Sequence, residues 1–239
     1  MTKSLKLLKN SFVFYCRNWK TLLGIILVAV PVMAYQAFTG NETSIVNLIG
    51  SVISIFMAIA LTIAIINLDN GEKPGVRETY NISKDWFFSY LWIAILEVLV
   101  LITGLILLVI PAAVFGIWIA FSRLELLVEN KRGTKALKSS RELVRGRWWQ
   151  VFRRYLAIGL IDLIILGAVA LLMAQLFGLE AILSPDQPDP LPSFIIQIVA
   201  VVTVTPINTI YSYLMYKDLK KPVVINGKSK SKPAKRAGR

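Results

Sequence analysis

The sequence predicts an all-α integral membrane protein: six transmembrane helices in three pseudo-repeated hairpins, each preceded by a cytoplasmic interfacial amphipathic helix. Three observations predict it. Hydrophobic residues make up 56 % of the 239 residues and charged ones only 17 %, against roughly 25 % charged in an ordinary soluble domain. The apolar residues are gathered into runs near the ~20 residues that cross a hydrocarbon core. The 27 lysines and arginines fall in four clusters, and the apolar segments between those clusters contain none.

The first run, TLLGIILVAVPVMAYQAF (21–38), predicts a span at about 20–39. A signal peptide is the alternative reading. Its basic region would be long, Ala34 and Ala37 make a poor cleavage site and more spans follow, so a retained span is expected. IVNLIGSVISIFMAIALTIAII (45–66) predicts the second, at 45–67. From Trp86 to Leu127 the chain is apolar with no polar turn, too long for one helix and right for two. Pro111 is the natural break, because proline cannot donate the helical hydrogen bond and disfavours helix just before it. Spans three and four are therefore expected at 86–108 and 110–129, with a re-entrant hairpin as the competing reading. The fifth and sixth are expected at 151–178 and 192–216.

Charge placement gives the orientation. Basic residues occupy the N-terminus, the stretch from Lys73 to Lys84, residues 123–154 and the chain from Lys217 onward. TGNETS, the Pro111 turn and GLEAILSPDQPDPLPS hold none. The positive-inside rule then puts both termini in the cytoplasm of a multi-pass protein of the cell (inner or plasma) membrane. Asn41-Glu42-Thr43 matches a glycosylation sequon but lies beside a span end and is read as chance. Residues 1–221 form the membrane domain. The polar, basic tail 222–239 is expected to be disordered.

LLKNSFVFYCRNW (7–19) and ALKSSRELVRGRW (136–148) match at a Leu-Lys pair, a serine and a closing tryptophan. VRETYNISKDW (76–86) is a looser copy. The tryptophans, Trp19, Trp86 and Trp148, lie 67 and 62 residues apart, which points to an internally duplicated architecture. Each unit would comprise an amphipathic helix, a tryptophan at the interface and a pair of spans. Ala136, Leu137, Ser140, Leu143 and Val144 share one helical face, with Lys135, Lys138, Arg141, Glu142 and Arg145 mostly opposite. Leu5, Leu8, Phe12 and Tyr15 repeat the pattern, with Lys6, Lys9 and Arg17 turned away. This suits helices lying in the headgroup layer; soluble helices packed on other cytoplasmic elements are the alternative.

RELVRGRWWQVFRRY (141–155) interleaves arginine with aromatics, as single-stranded nucleic-acid grooves also do. Its place at the start of span five favours lipid phosphate instead, and nothing base-reading accompanies the charge. The residues expected at the headgroup interface are Trp19, Trp86, Lys138, Arg141, Arg145, Arg147, Trp148, Trp149, Arg153 and Arg154.

The single cysteine, Cys16, excludes an internal disulfide, and the absence of histidine excludes imidazole ligands, triads and proton relays. No catalytic residue, metal ligand or cofactor is assigned. Two carboxylates fall inside spans, Glu97 in IAILEVLVL and Asp162 in IGLIDLIIL. An acid near mid-bilayer costs about 2.5–3.5 kcal/mol on insertion scales, so such groups face the protein interior and often have a function. Either they tie helices together, with Thr103, Thr203, Thr205 or Asn208 as partners, or they contact an ion, proton or headgroup. Arg123 could snorkel to the interface or pair with Glu97.

ALKSSRELVRGRWWQVF, preceded by LILLVIPAAVFGIWIAFSRLELLVE and followed at the chain's last span by LMYKDLKK, resembles the membrane domain attached to some prokaryotic glycerophosphodiester phosphodiesterases and related stand-alone membrane proteins. The resemblance covers about residues 1–221. It rests on Ile110-Pro111, on Ala136–Trp149, and on Tyr216, Asp218 and Leu219. That family's catalytic part is a separate soluble barrel, absent here, so the resemblance implies a membrane module and no enzyme activity.

Two functions of different class follow. One is a non-enzymatic module that binds anionic lipid headgroups and organises or supports a protein partner, or a second copy of itself. The other is a small transporter or permease component using the intramembrane acids, since repeats with polar sites at mid-membrane recur in transporters.

Overall fold

The computed structural model describes residues 3–39, 44–178 and 190–221. The tail 222–239, the sequon Asn41-Glu42-Thr43 and most of the 178–193 connection lie outside them. Every regular element among the described residues is helical. Five helices are long and apolar enough to cross a membrane, and a sixth is added if one bent pair counts as a single span. That architecture is compatible with a helical membrane protein.

The bent pair comes first. α1 (Lys3–Leu27) runs unbroken from the basic N-terminal stretch into the apolar run, with one local distortion at Asn18, whose amide donates back to Phe14 O at 2.9 Å. α2 (Val30–Thr39) follows at 50°. Pro31 accounts for the break, since it has no N–H and its ring collides with the carbonyl four residues earlier. The face of α1 differs from the one expected. Leu7, Leu8, Ser11, Phe14 and Tyr15 turn toward the protein, while Leu5 and Phe12 are exposed, in line with exposed Trp19. Apolar residues cover two stripes of this helix, and spacing alone cannot tell which stripe meets the core.

α3 (Ser44–Asp69) is the central helix, packed against α1 and α4 (Val76–Leu107). Ala60, Leu61, Ala64 and Ile65 join the main core, and Ile59 and Ile63 a second one with Tyr90 and Ile93. Phe56 stacks on Phe87 of α4 at 4.6 Å. α4 turns tightly into α5 (Val109–Ile119). The turn falls at Leu108, at φ 124°, three residues before Pro111, because proline fits the first turn of a helix, where its missing N–H has no partner to lose. Gly104 makes the hairpin close: a Cβ there would lie 2.8 Å from Ala112 Cα.

α6 (Ser122–Glu129) continues the direction and ends on Asn130 in the left-handed region, φ 51°, a conformation asparagine tolerates. α7 (Thr134–Val144) lies across α5 and α6 and buries Ala136, Ser140 and Val144. α8 (Trp148–Phe177) is long and largely exposed. α9 (Pro190–Val199) leads through a π-helical turn, Ala200–Val204, into α10 (Thr205–Lys220).

Three long-range hydroxyl bonds tie the basic, N-terminal segments to breaks in the apolar helices. Pro206 has no N–H to give the carbonyl of Val202, four residues back, and Tyr15 of α1 donates to it at 2.8 Å. At the α1–α2 break Ala29 N–H turns to Ile26 O, and Tyr80 of α4 donates to Ile25 O at 2.9 Å. At the α5–α6 break Ser140 of α7 donates to Trp118 O at 2.7 Å and accepts from Phe121 N–H at 3.1 Å. Backbone groups without a helical partner are costly away from water, and these side chains supply one.

Candidate functional site

The chain's charged side chains gather where the basic segments meet the helix ends. Glu125 is fully buried. Its Oε2 accepts from Lys131 Nζ at 2.7 Å and from Ser139 Oγ at 2.8 Å, and Lys220 Nζ lies 3.2 Å from its Oε1. One carboxylate thus joins α6, α7, the turn between them and α10. Asp69, at the end of α3, accepts from Tyr213 at 2.9 Å and pairs with Lys217. Neither acid was singled out by sequence reasoning. The signal available was weak: Glu125 sits at the end of an apolar run, and of its two cations Lys131 lies beyond the end of its helix and Lys220 is 95 residues away.

Of the two intramembrane acids that were singled out, Glu97 is buried and meets Arg123, whose Nε donates to its Oε2 at 2.9 Å. Arg123 also donates to Tyr90 OH at 3.2 Å. Arg123 therefore turns to Glu97, one of its two expected courses. Asp162 has a different partner, Asn208 Nδ2 at 2.8 Å, which ties α8 to α10. The two acids are not brought together. Both arrangements offset the cost of a carboxylate in an apolar setting.

The expected interface residues separate into four groups. Trp148 stacks on Phe152 at 5.1 Å and on Trp149 at 5.7 Å, with Trp149 exposed; Trp19 is exposed and Trp86 half-buried. Arg145 and Arg153 are exposed, and Arg147 donates to Leu143 O at 3.3 Å. Arg154 departs from the rest: it is 2 % exposed and paired with Asp218 at 2.9 Å.

Lys138 and Arg141 line a groove. Its volume is about 420 Å³, and its walls are Leu96, Leu99 and Val100 of α4 with Phe115 and Trp118 of α5. Leu137, Lys138 and Arg141 of α7 close one side. The Arg141 guanidinium sits over the Trp118 ring at 4.3 Å, which fixes a cation against an apolar wall. Apolar walls beside two cations suit an amphiphile with a negative head. Among the described residues no group of three or more histidine, cysteine, aspartate or glutamate side chains is placed to hold a metal ion.

Helical architecture, apolar exposed surface and charge gathered at the helix ends define the class, a protein compatible with a multi-pass helical membrane fold. Residues 83–219, more than half the chain, match the family described as Domain of unknown function (DUF7847), and the chain belongs to that family. No curated protein and no solved structure matches it.

Proposed function

We propose that the protein is a non-enzymatic module of the cell membrane that holds anionic lipid headgroups and, through that layer, organises or supports a protein partner. In this reading six spans form three related hairpins, with the bent α1–α2 pair as the first span. A basic helix precedes each hairpin in the cytoplasmic headgroup layer, and both termini are cytoplasmic. A kinship with the membrane domain of glycerophosphodiester phosphodiesterases belongs to the same proposal.

The observation that carries the lipid reading is the groove under α7. Lys138 and Arg141 stand beside apolar walls, and Trp118 holds the Arg141 guanidinium in place. The pattern of hydroxyl ties supports the repeat. Each basic segment reaches a neighbouring hairpin: that of the first unit the third hairpin, that of the second the first, that of the third the second. The transporter alternative draws less support, because Glu97 and Asp162 are each engaged by a neighbouring side chain.

Extraction into native nanodiscs followed by mass spectrometry tests the reading. Anionic lipid is expected to be enriched over the bulk membrane and to fall to the bulk ratio in the Lys138→Gln, Arg141→Gln double variant. A near-stoichiometric copurifying protein is expected as well. Lipid in the bulk ratio for both proteins would sink the lipid reading. A small solute released by Glu97→Gln or Asp162→Asn would favour the transporter.

A further inference from the structure

A second cavity, of about 510 Å³, lies between the N-terminal turns of α1 and the first half of α8. On α8 it takes Gln150, Arg153, Arg154, Ala157, Ile158 and Ile161, one stripe at helical spacing. The stripe is ordered along the axis, with three polar residues first and three apolar ones after. From Gln150 to Ile161 it covers about 16 Å. Ser4, Leu5 and Leu8 of α1 face it, and Tyr211 of α10 completes the wall.

The polar end is built to hold an anion. No acid is among its lining residues. Arg154 is 2 % exposed, and its ion pair with Asp218 engages Nη2. Nη1 and Nη2 are both buried with no hydrogen-bond partner among the described residues, the Asp218 contact of Nη2 being an ion pair alone. Tyr211 donates to the Arg154 carbonyl at 3.1 Å and so fixes the backbone that carries the guanidinium. A buried guanidinium N–H without an acceptor is rare in folded proteins and calls for one. Two adjacent guanidiniums and an amide match the oxygens of a phosphate group.

The repeat relates this cavity to the groove under α7. Leu8 and Leu137 occupy equivalent positions before Trp19 and Trp148, and both line their cavities. Ile158 and Ile161 lie ten and thirteen residues beyond Trp148, as Leu96 and Leu99 lie beyond Trp86, and all four line the respective walls. The apolar half is therefore shared, while the cations differ: they stand on α7 in one cavity and on α8 in the other, where one is buried.

We infer that the α1–α8 cavity is a phosphate-binding site, with Arg153, Arg154 and Gln150 as its donors and the apolar stripe below them as the seat of a chain. This rests on the membrane-embedded reading above, but not on the α7 groove. Delipidated full-length protein in detergent is titrated by calorimetry with inorganic phosphate, dihexanoyl phosphatidate and dihexanoyl phosphatidylcholine. Saturable phosphatidate binding is expected, at least tenfold tighter than phosphatidylcholine and weakened at least tenfold by Arg153→Gln. Phosphatidate tenfold tighter than inorganic phosphate assigns a lipid phosphate; equal affinities assign a soluble phosphorylated compound, and both uphold the site. The titration is run on the Lys138→Gln, Arg141→Gln background, which takes away any phosphatidate held at the α7 groove; Arg153-dependent binding is expected to persist there, so the two sites fail separately. No saturable binding of either phosphate probe overturns the inference, as does binding that Arg153→Gln and Gln150→Leu both leave within twofold.

Discussion

Two regions of the molecule solve the burial problem in different ways. Toward the basic end the protein buries its own surface. In α3 the residues from Ile59 to Ile65 are almost wholly inside, and in α10 so are Tyr211, Met215 and Tyr216. Elsewhere apolar side chains are bare: Ile45 of α3 is 70 % exposed, Ile164 of α8 69 % and Ile106 of α4 79 %. An exposed isoleucine in water would be a loss, but among lipid tails it costs nothing to leave outside. The difference teaches that specific packing is concentrated in the second half of α3 and in α10, while many apolar side chains elsewhere are left exposed, as is compatible with a helical membrane protein.

Substitutions at matched depths break or sharpen that contrast. The largest effect is expected at Glu125. Glu125→Ala removes the acceptor shared by Lys131, Ser139 and Lys220, of which Lys220 keeps Glu129 at 3.1 Å, a loss of about 2–4 kcal/mol for the charge-assisted hydrogen bonds removed. Size-exclusion profiles and thermal melts in detergent should show little folded protein. A melt within a degree or two of the parent would mean that the buried network does not hold the basic end together.

A smaller loss is expected at the helix breaks. Ser140→Ala leaves Phe121 N–H and Trp118 O without partners, at about 1–3 kcal/mol for a buried group left unsatisfied. Tyr80→Phe and Tyr15→Phe each remove one hydroxyl bond, worth about 0.5–1.5 kcal/mol. Thermal melts should shift most for Ser140→Ala and less, by similar amounts, for the two tyrosine variants. Equal and negligible shifts would show that the breaks need no side-chain partner.

The smallest effect belongs to the bare positions. Ile164→Ala should change stability in nanodiscs by less than about 0.5 kcal/mol, as expected of a position outside the packed core. A loss as large as that of Ser140→Ala would reveal a packing partner at Ile164 and erase the contrast.

Much of the architecture was legible in the sequence, for a simple reason: crossing a hydrocarbon layer demands long apolar runs, and runs are visible. Pro31 and Pro206 sit at two further breaks, where the missing N–H is a property of the residue itself. Pro111 announced the break between the spans expected at 86–108 and 110–129, and the turn falls at Leu108 because proline is at home in the first turn of the helix that follows. What stayed hidden was everything that depends on distance. Hydropathy is nearly uniform along α3, so it could not tell that one half is core and the other surface. Arg154 reads like Arg153 in sequence, yet Asp218, 64 residues on, draws one of them inside. Two pairings were nonetheless among those that residue types allow, Asp162 with Asn208 and Glu97 with Arg123.

Depth in the bilayer is the most direct test of the account. On a Cys16→Ser background, single spin labels are placed at Lys138→Cys and Leu163→Cys, and their accessibility to a water-soluble nickel complex and to oxygen is measured by EPR in anionic nanodiscs. The account predicts a nickel-accessible label at position 138, at headgroup level, and an oxygen-accessible, nickel-protected label at position 163, in the hydrocarbon. Labels equally open to nickel at both positions would contradict it.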